Sequence, residues 1–143
     1  MVDFFTADEE KSIIGSIKKA ELNTSGEIRV HLHKKVKKGL AKDAKRAFKM
    51  MNMHKTKARN GVLVFIVPEA KQFAILGDKG INKQVPDNFW DSTKDLMQSH
   101  FRKGDFTTGI CVGVEAVGEQ LKTYFPYQSD DVNELPDEIS YDS

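Results

Sequence analysis

The feature that most constrains the fold of this sequence is a run of six consecutive apolar residues, 62–67, preceded by Gly61 and followed by Pro68. The run is too short for a typical helix and is rich in Val, Ile and Phe, which favours a strand. Because it is apolar at successive positions, both faces of such a strand have to be buried. The run therefore predicts the central strand of a sheet that is covered by helices on both sides.

Periodicity on either side of this run adds two strands and four helices. Residues 28–32 alternate apolar and polar side chains, and residues 72–76 follow the central run after a short connection, as in an antiparallel hairpin. Apolar residues at helical spacing predict helices at about residues 7–21, from about residue 40, from Pro86-Asp87, and after Asp105 or Thr107. The order αβαββαα, with the first two strands parallel, predicts an α/β protein. We expect a three-layer α/β/α sandwich around a small mixed sheet.

The 143 residues suffice for one domain, and their net charge of +1 conceals two regions of opposite charge. Residues 34–59 contain eleven Lys and Arg but only one acid, Asp43, whereas residues 126–143 contain six acids and no Lys or Arg. We expect a folded domain over residues 1–127 and an acidic, disordered tail over residues 128–143. Because neither a secretory signal nor an apolar run long enough to cross a membrane is evident, we expect a cytoplasmic protein.

Acidic residues stand near the ends of the predicted strands and helices. The first strand begins at an acid, and the third strand, which returns antiparallel, ends at another; these points share one edge of the sheet with the start of the central strand. Further acids stand at the starts of the third and fourth helices. The expected rim of carboxylates consists of Glu27, Asp78, Asp87, Asp91 and Asp105. Such a cluster favours Ca²⁺ or Mg²⁺, which prefer oxygen ligands. Alternatively, these acids cap helices or lie in solvated turns without sharing a site.

Four motifs of the chain, the last of them in two parts, resemble in order those of the TPM-domain family. They are residues 24–28 (TSGEI), 59–63 (RNGVL), 77–81 (GDKGI), 101–106 (FRKGDF) and 108–110 (TGI). The resemblance extends over about residues 4–127 and implies an α/β/α sandwich and divalent-cation binding. Its plant members imply acid phosphatase activity and a role in photosystem II repair.

Carried over to this sequence, the resemblance implies an acidic rim of Glu27, Asp78 and Asp105, with Asp87 and Asp91 as neighbours. Residues 80–82 (GIN) depart from the Gly-Leu-Glu that many members have there, so one acid of the family is missing. Many members also have a signal peptide and a membrane or Gly-rich segment, neither of which is evident here. A membrane-linked role is therefore not expected.

These observations lead to three hypotheses about function. In the first, which we favour, the chain is a monomeric binding module in which Ca²⁺ or Mg²⁺ orders the acidic loops and regulates binding of a protein partner. In the second, a bound cation and either Asp78 or Asp105, as nucleophile or base, hydrolyse a phosphate ester. In the third, the basic second helix binds nucleic acid or an anionic membrane surface. We expect a solvated helix face instead, because aromatic residues other than Phe48 are not interleaved with the lysines.

Two histidines, His31 and His33, are alternate residues and so share one face of the first strand. Such an H-x-H pair can bind zinc. No third ligand is evident in the sequence, so we prefer the interpretation that both side chains pack beneath a helix or face solvent.

Overall fold

A mixed sheet of four strands forms the middle of the molecule in the computed structural model, which describes residues 4–127 and 135–141. The strands are β1 (Glu27–Leu32), β2 (Gly61–Val67), β3 (Gln72–Gly77) and β4 (Ser140–Tyr141), in the order β3-β2-β1-β4. β1 runs parallel to both of its neighbours, and β2 and β3 form an antiparallel hairpin. The predicted parallel pair and the predicted hairpin are both confirmed.

Helices cover both faces of this sheet. On one face lie α1 (Ala7–Glu21), α4 (Asp91–Arg102) and α5 (Phe106–Leu121); on the other lies α2 (Leu40–Met50), followed by a 3-10 turn at Met53–Lys55. A single helical turn, α3 (Lys79–Asn82), follows β3. The predicted α/β/α sandwich is thus confirmed. No helix within the described ranges combines the length and the apolar character that crossing a membrane requires.

The central strand β2 is buried on both faces, as its composition requires. Alternate residues face opposite layers: Val62, Val64 and Ile66 pack with α1, α4 and α5, and Leu63, Phe65 and Val67 pack with α2. None of these six residues is more than 1% exposed. Burying a side chain of this size stabilises a fold by roughly 1.5–3 kcal/mol, so the six side chains of β2 stabilise the packing of both helical layers on the sheet.

The helix predicted from Pro86-Asp87 begins later, at Asp91. Phe89 N–H donates to Pro86 O at 3.1 Å, and Asp91 N–H donates to Asn88 O at 3.1 Å, so hydrogen-bonded turns precede the helix. The turns direct the ring of Phe89 onto Trp90 and Tyr124, with centroid distances of 4.7 and 5.4 Å. Residues 87–90 therefore form turns, in which Phe89 packs on Trp90 and Tyr124, and not the first helical turn that was predicted.

The C-terminal segment, residues 135–141, differs from the expected disordered tail. Its strand β4 pairs in parallel with the outer edge of β1. Leu135 and Ile139 are buried, Leu135 among the side chains on the α2 side and Ile139 among those on the α1 side. The expectation of disorder was based on the acidic composition of the region and did not take these two apolar residues into account. The rest of the expected tail, residues 128–134 and 142–143, lies outside the described residues.

Candidate functional site

The predicted meeting of three chain segments at one edge of the sheet is confirmed. Glu27 N–H donates to Asn60 O at 3.2 Å, and Asp78 N–H donates to Gly61 O at 2.9 Å. Asn60 Nδ2 also donates to Ser25 O at 3.3 Å. These bonds hold the starts of β1 and β2 and the end of β3 side by side, across two strand spacings or about 10 Å.

Asp78 is a nearly buried carboxylate at this edge, with 6% of the residue exposed. It caps α3 by accepting a hydrogen bond from Lys79 N–H at 2.7 Å. Arg59 Nε and Nη2 donate to its two oxygens at 2.7 and 2.9 Å, which makes a bidentate ion pair. The hydrogen bond to Asp78 raises the pKa of Arg59 above its ordinary value. We predicted a metal ion as the counterion of Asp78. In the structure its negative charge is balanced by Arg59, from the loop before β2.

Glu27 is also buried, but its side chain lies on the face of β1 that looks toward α2. Its Oε1 accepts a hydrogen bond from Leu135 N–H at 2.8 Å. Nearby, Glu21 Oε2 accepts one from Ile28 N–H at 3.0 Å. Burial, a hydrogen bond with Asp137 and the charges of Asp137 and Glu27 raise the pKa of Glu21 to about 9, so Glu21 is protonated at neutral pH. A proton therefore relieves the repulsion in this group of carboxyls beneath the C-terminal segment.

The other three predicted acids, Asp87, Asp91 and Asp105, are exposed. Asp87 precedes α4 and Asp91 begins it, whereas Asp105 follows its far end, and a helix of 12 residues is about 18 Å long. Phe106, next to Asp105, lines a depression beside Val67, where β2 ends. We expected Asp105 on the rim with Glu27 and Asp78; the structure places it at the opposite edge of the sheet. The length of α4 is the physical reason.

Within residues 4–127 and 135–141, no three His, Cys, Asp or Glu side chains are grouped so as to hold a metal ion. The two buried acids of the rim are both engaged: Glu27 with the Leu135 N–H, and Asp78 with Arg59 and the Lys79 N–H. Because Ca²⁺ takes six to eight oxygen ligands, the edge as it stands does not fit that ion. A divalent cation fits only if it displaces Arg59 from Asp78.

A second polar group lies at the other end of β1. The rings of His31 and His33 are 5.8 Å apart, and both contact the ring of Phe65, at centroid distances of 5.5 and 5.0 Å. His31 Nδ1 lies 2.9 Å from Ser140 Oγ on β4. Together with side chains of α2, the two histidines line a cavity of about 390 Å³. The shared face predicted for them is confirmed, and it opens onto this cavity.

Asp43 holds the basic loop between β1 and α2 against this cavity. Its Oδ2 and Oδ1 accept hydrogen bonds from Lys37 N–H at 2.7 Å and Lys38 N–H at 3.1 Å. The bond from Lys37, together with that from Lys38 and the neighbouring positive charges, lowers the pKa of Asp43 despite its burial. Gly39, at φ 107°, turns the loop into α2. The signal for this role in the sequence is that Asp43 is the one acid within a long basic stretch, residues 34–59.

Comparison with known proteins points to one family. The TPM domain matches residues 1–120 of the chain. A search of curated proteins gave no match. Among solved structures, the chain is similar to the BA42 protein from the psychrophilic bacterium Bizionia argentinensis, determined by NMR. The two share 46% identity at a TM-score of 0.93, over 99% of this chain and 98% of that one.

Two more distant structures share the fold. One is the N-terminal domain of the cg2496 protein from Corynebacterium glutamicum, at 13% identity and a TM-score of 0.64, over 98% of this chain and 81% of that one. The other is the N-terminal domain of a protein from P. gingivalis, at 21% identity and a TM-score of 0.69, over 86% of this chain and 80% of that one. At these identities the likeness concerns the fold alone.

Proposed function

This chain belongs to the TPM domain family, and from that premise we propose that it is a binding module in which Asp78 takes up Ca²⁺ or Mg²⁺ in exchange for the Arg59 guanidinium. The observation that carries the proposal is the state of Asp78. Its carboxylate is nearly buried, and its charge is balanced by a single side chain from a neighbouring loop. Because a buried carboxylate requires a counterion, an arginine and a divalent cation are alternative partners for it.

Arg59 can leave the carboxylate without unfolding of the edge. Its side chain is 33% exposed, whereas its backbone is held by two hydrogen bonds, from its N–H to Thr56 O at 3.3 Å and from Gly80 N–H to its carbonyl at 2.9 Å. Its φ of 52° is a left-handed conformation that costs a residue other than glycine on the order of 1 kcal/mol. The loop therefore fixes the backbone of Arg59 while the guanidinium borders solvent.

Neutral oxygens surround the same turn. A Cβ on Gly80 would lie 2.3 Å from Ala58 O and 2.5 Å from Arg59 O, so α3 packs directly on two backbone carbonyls. Asn82 donates its Nδ2 to Gly77 O at 3.1 Å, a bond that does not use its Oδ1. Carbonyl and amide oxygens supplement carboxylates at Ca²⁺ sites, and Mg²⁺ retains several waters. In the proposed site, these neutral oxygens and bound water supplement the single acid, Asp78.

Exchange of the counterion would change the surface that a protein partner meets. The released Arg59 would carry its charge into solvent beside Lys57 and Lys79, both of which are exposed. A bound cation would therefore add positive charge at this edge. The partner that such an edge favours is an acidic protein surface, bound more tightly when the cation is present.

The experiment is a calorimetric titration with Ca²⁺ and with Mg²⁺ after EDTA treatment, supported by thermal denaturation. Arg59→Gln removes the competing guanidinium and is expected to bind cation more tightly than the wild type, with a larger rise in Tm. Asp78→Asn is expected to lose binding. Asp95→Asn removes an exposed charge from α4 and is the matched control, expected to behave as the wild type. Unchanged binding by Asp78→Asn, or no gain from Arg59→Gln, would contradict the exchange.

The alternative function is a metal-dependent phosphatase. Its two candidate carboxylates, Asp78 and Asp105, lie at opposite edges of the sheet and cannot act on one phosphate ester. A phosphatase site at the Asp78 edge would lose turnover of an aryl phosphate on Asp78→Asn and keep it on Asp105→Asn. Turnover by the wild type and by Asp105→Asn, but not by Asp78→Asn, would indicate a phosphatase. A binding module predicts no turnover by the wild type or by either variant.

A further inference from the structure

A cavity of about 390 Å³ lies between the end of β1, the loop before α2, the last turns of α2, and β4. Its walls include the side chains of His31, His33, Lys37, Lys38 and Arg46. It is separate from Asp78, because the cavity adjoins the end of β1 whereas Asp78 lies beside its start. We propose that this cavity binds a small molecule that carries a phosphate group.

The charge of the cavity favours an anion. Among the described residues that line it, Lys37, Lys38 and Arg46 supply three positive charges and Asp43 supplies one negative charge, which leaves a formal excess of two positive charges before either histidine is counted. Within residues 4–127 and 135–141, no carboxylate forms an ion pair with the side chains of these three cations. A phosphate dianion matches this excess, and an arginine can bind it through two nitrogens.

Asp43 shapes the cavity through hydrogen bonds to the backbone, and these bonds do not involve the charged ends of the lysine side chains. Its two oxygens accept hydrogen bonds from the backbone N–H groups of Lys37 and Lys38, so the ammonium groups of both lysines remain available. The bonds also fix the course of the loop at the start of α2. Because the loop is already fixed, ligand binding does not have to order it, and the entropic cost of binding is smaller.

Part of the lining is apolar and suits an organic body attached to the phosphate. Ala47, Met50 and Met51 of the α2 region line the cavity together with Tyr141 of β4. Small-molecule sites have volumes of about 300–1,000 Å³ and combine apolar walls with polar groups, and this cavity of about 390 Å³ has that volume and both kinds of lining. Inorganic phosphate alone would leave much of the space unfilled. The structure therefore favours a phosphate monoester over the free anion.

The test is a titration of the full chain, followed by backbone amide chemical shifts, with glucose 6-phosphate, adenosine monophosphate, inorganic phosphate, and the parent compounds glucose and adenosine. We expect saturable shifts at His31, His33 and Ser140 with at least one of the two esters, and weaker binding of inorganic phosphate. The parent compounds are expected to cause no such shifts. Absence of saturable shifts at millimolar ester, or the same shifts with the parent compound, would overturn the proposal.

A matched pair of variants separates the cavity from the general charge of α2. Arg46→Gln removes a cation that lines the cavity and should weaken ester binding by about tenfold or more, about 1.4 kcal/mol. Lys45→Gln removes an equal charge from the exposed surface of the same helix and should leave the affinity nearly unchanged. Equal losses in the two variants would mean that the helix surface attracts anions without a built site. Binding of RNA or of anionic vesicles, but of neither ester, would also refute the proposal.

Discussion

The carboxyl group of Glu21 provides a sharp test of how the C-terminal segment is held. Glu21 lies at the end of α1, accepts a hydrogen bond from Ile28 N–H, and is hydrogen-bonded to Asp137 of the C-terminal segment. Burial, this bond and the nearby charges raise its pKa from 4.5 to about 9. The folded protein therefore holds a proton on Glu21 over a pH range in which the unfolded chain has released it.

The sign of the effect on stability follows from this proton. Because the folded state binds more protons than the unfolded state between pH 4.5 and about 9, the free energy of unfolding falls as pH rises through that window. One proton lowers it by about 1.4 kcal/mol per pH unit, so the upper limit between pH 5.5 and 7.5 is about 3 kcal/mol. Since Glu21 is partly exposed, screening by solvent reduces the expected loss to roughly 1–2 kcal/mol.

Glu21→Gln removes this proton while it keeps both hydrogen bonds. The amide oxygen can accept from Ile28 N–H, and the amide nitrogen can donate to Asp137. Urea denaturation at pH 5.5, 6.5 and 7.5 should show a smaller decline in stability for the variant than for the wild type, and a variant more stable than the wild type at pH 7.5. Glu69→Gln, in the exposed turn between β2 and β3, is the control and should keep the wild-type slope. Parallel curves for Glu21→Gln and the wild type would refute the reasoning.

Three further predictions concern the fold. Leu135→Ala should lower the free energy of unfolding by about 2–4 kcal/mol in urea denaturation, because Leu135 is buried, whereas the exposed Pro136→Ala should change it by less than about 0.5 kcal/mol. Gly118→Ala should destabilise by about 1–3 kcal/mol, since its Cβ would lie 2.7 Å from a backbone oxygen of α1, whereas Gly15→Ala, in open space on α1, should stabilise by about 1 kcal/mol. Asp43→Ala should lower the Tm at pH 7 more than at pH 3, because the lowered pKa of Asp43 stabilises the fold only while the carboxylate is charged.

The sheet and its two layers of helices could be predicted because local signals and tertiary requirements agree. The apolar run of β2 requires cover on both faces, and Thr6 and Glu9, three residues apart, form a capping box at the start of α1. There, Glu9 N–H donates to Thr6 Oγ1 at 3.1 Å, and Thr6 N–H donates to Glu9 Oε1 at 2.8 Å. Hydrophobic period and capping are properties of neighbouring residues, which a sequence displays directly.

The C-terminal strand could not be predicted in the same way. Its anchors, Leu135 and Ile139, are two apolar residues in an acidic stretch, and β4 has only two residues. The groups that hold the segment belong to β1, more than 100 residues earlier: Glu27 accepts from Leu135 N–H, and His31 lies against Ser140. Such contacts depend on the tertiary arrangement and leave no local pattern.

The candidate site was predicted in part, for a similar reason. Strand topology correctly brought Asp78 to the start of β2, because parallel and antiparallel pairing fixes which strand ends meet. Topology does not specify counterions, so the pairing of Asp78 with Arg59, a residue with positive φ in the adjacent loop, was missed. Strand topology also does not specify the length of a helix. Because α4 has 12 residues, Asp105, which follows it, lies at the opposite edge of the sheet.

The most direct test of the proposed function is a residue-resolved titration of the EDTA-treated protein with Ca²⁺ and with Mg²⁺. Exchange at Asp78 predicts saturable amide shifts centred on Arg59, Asp78 and Gly80, together with a changed Arg59 Nε–H signal as the guanidinium leaves the carboxylate. Shifts confined to Asp105 or to the C-terminal segment, or no saturable shifts at millimolar cation, would contradict it.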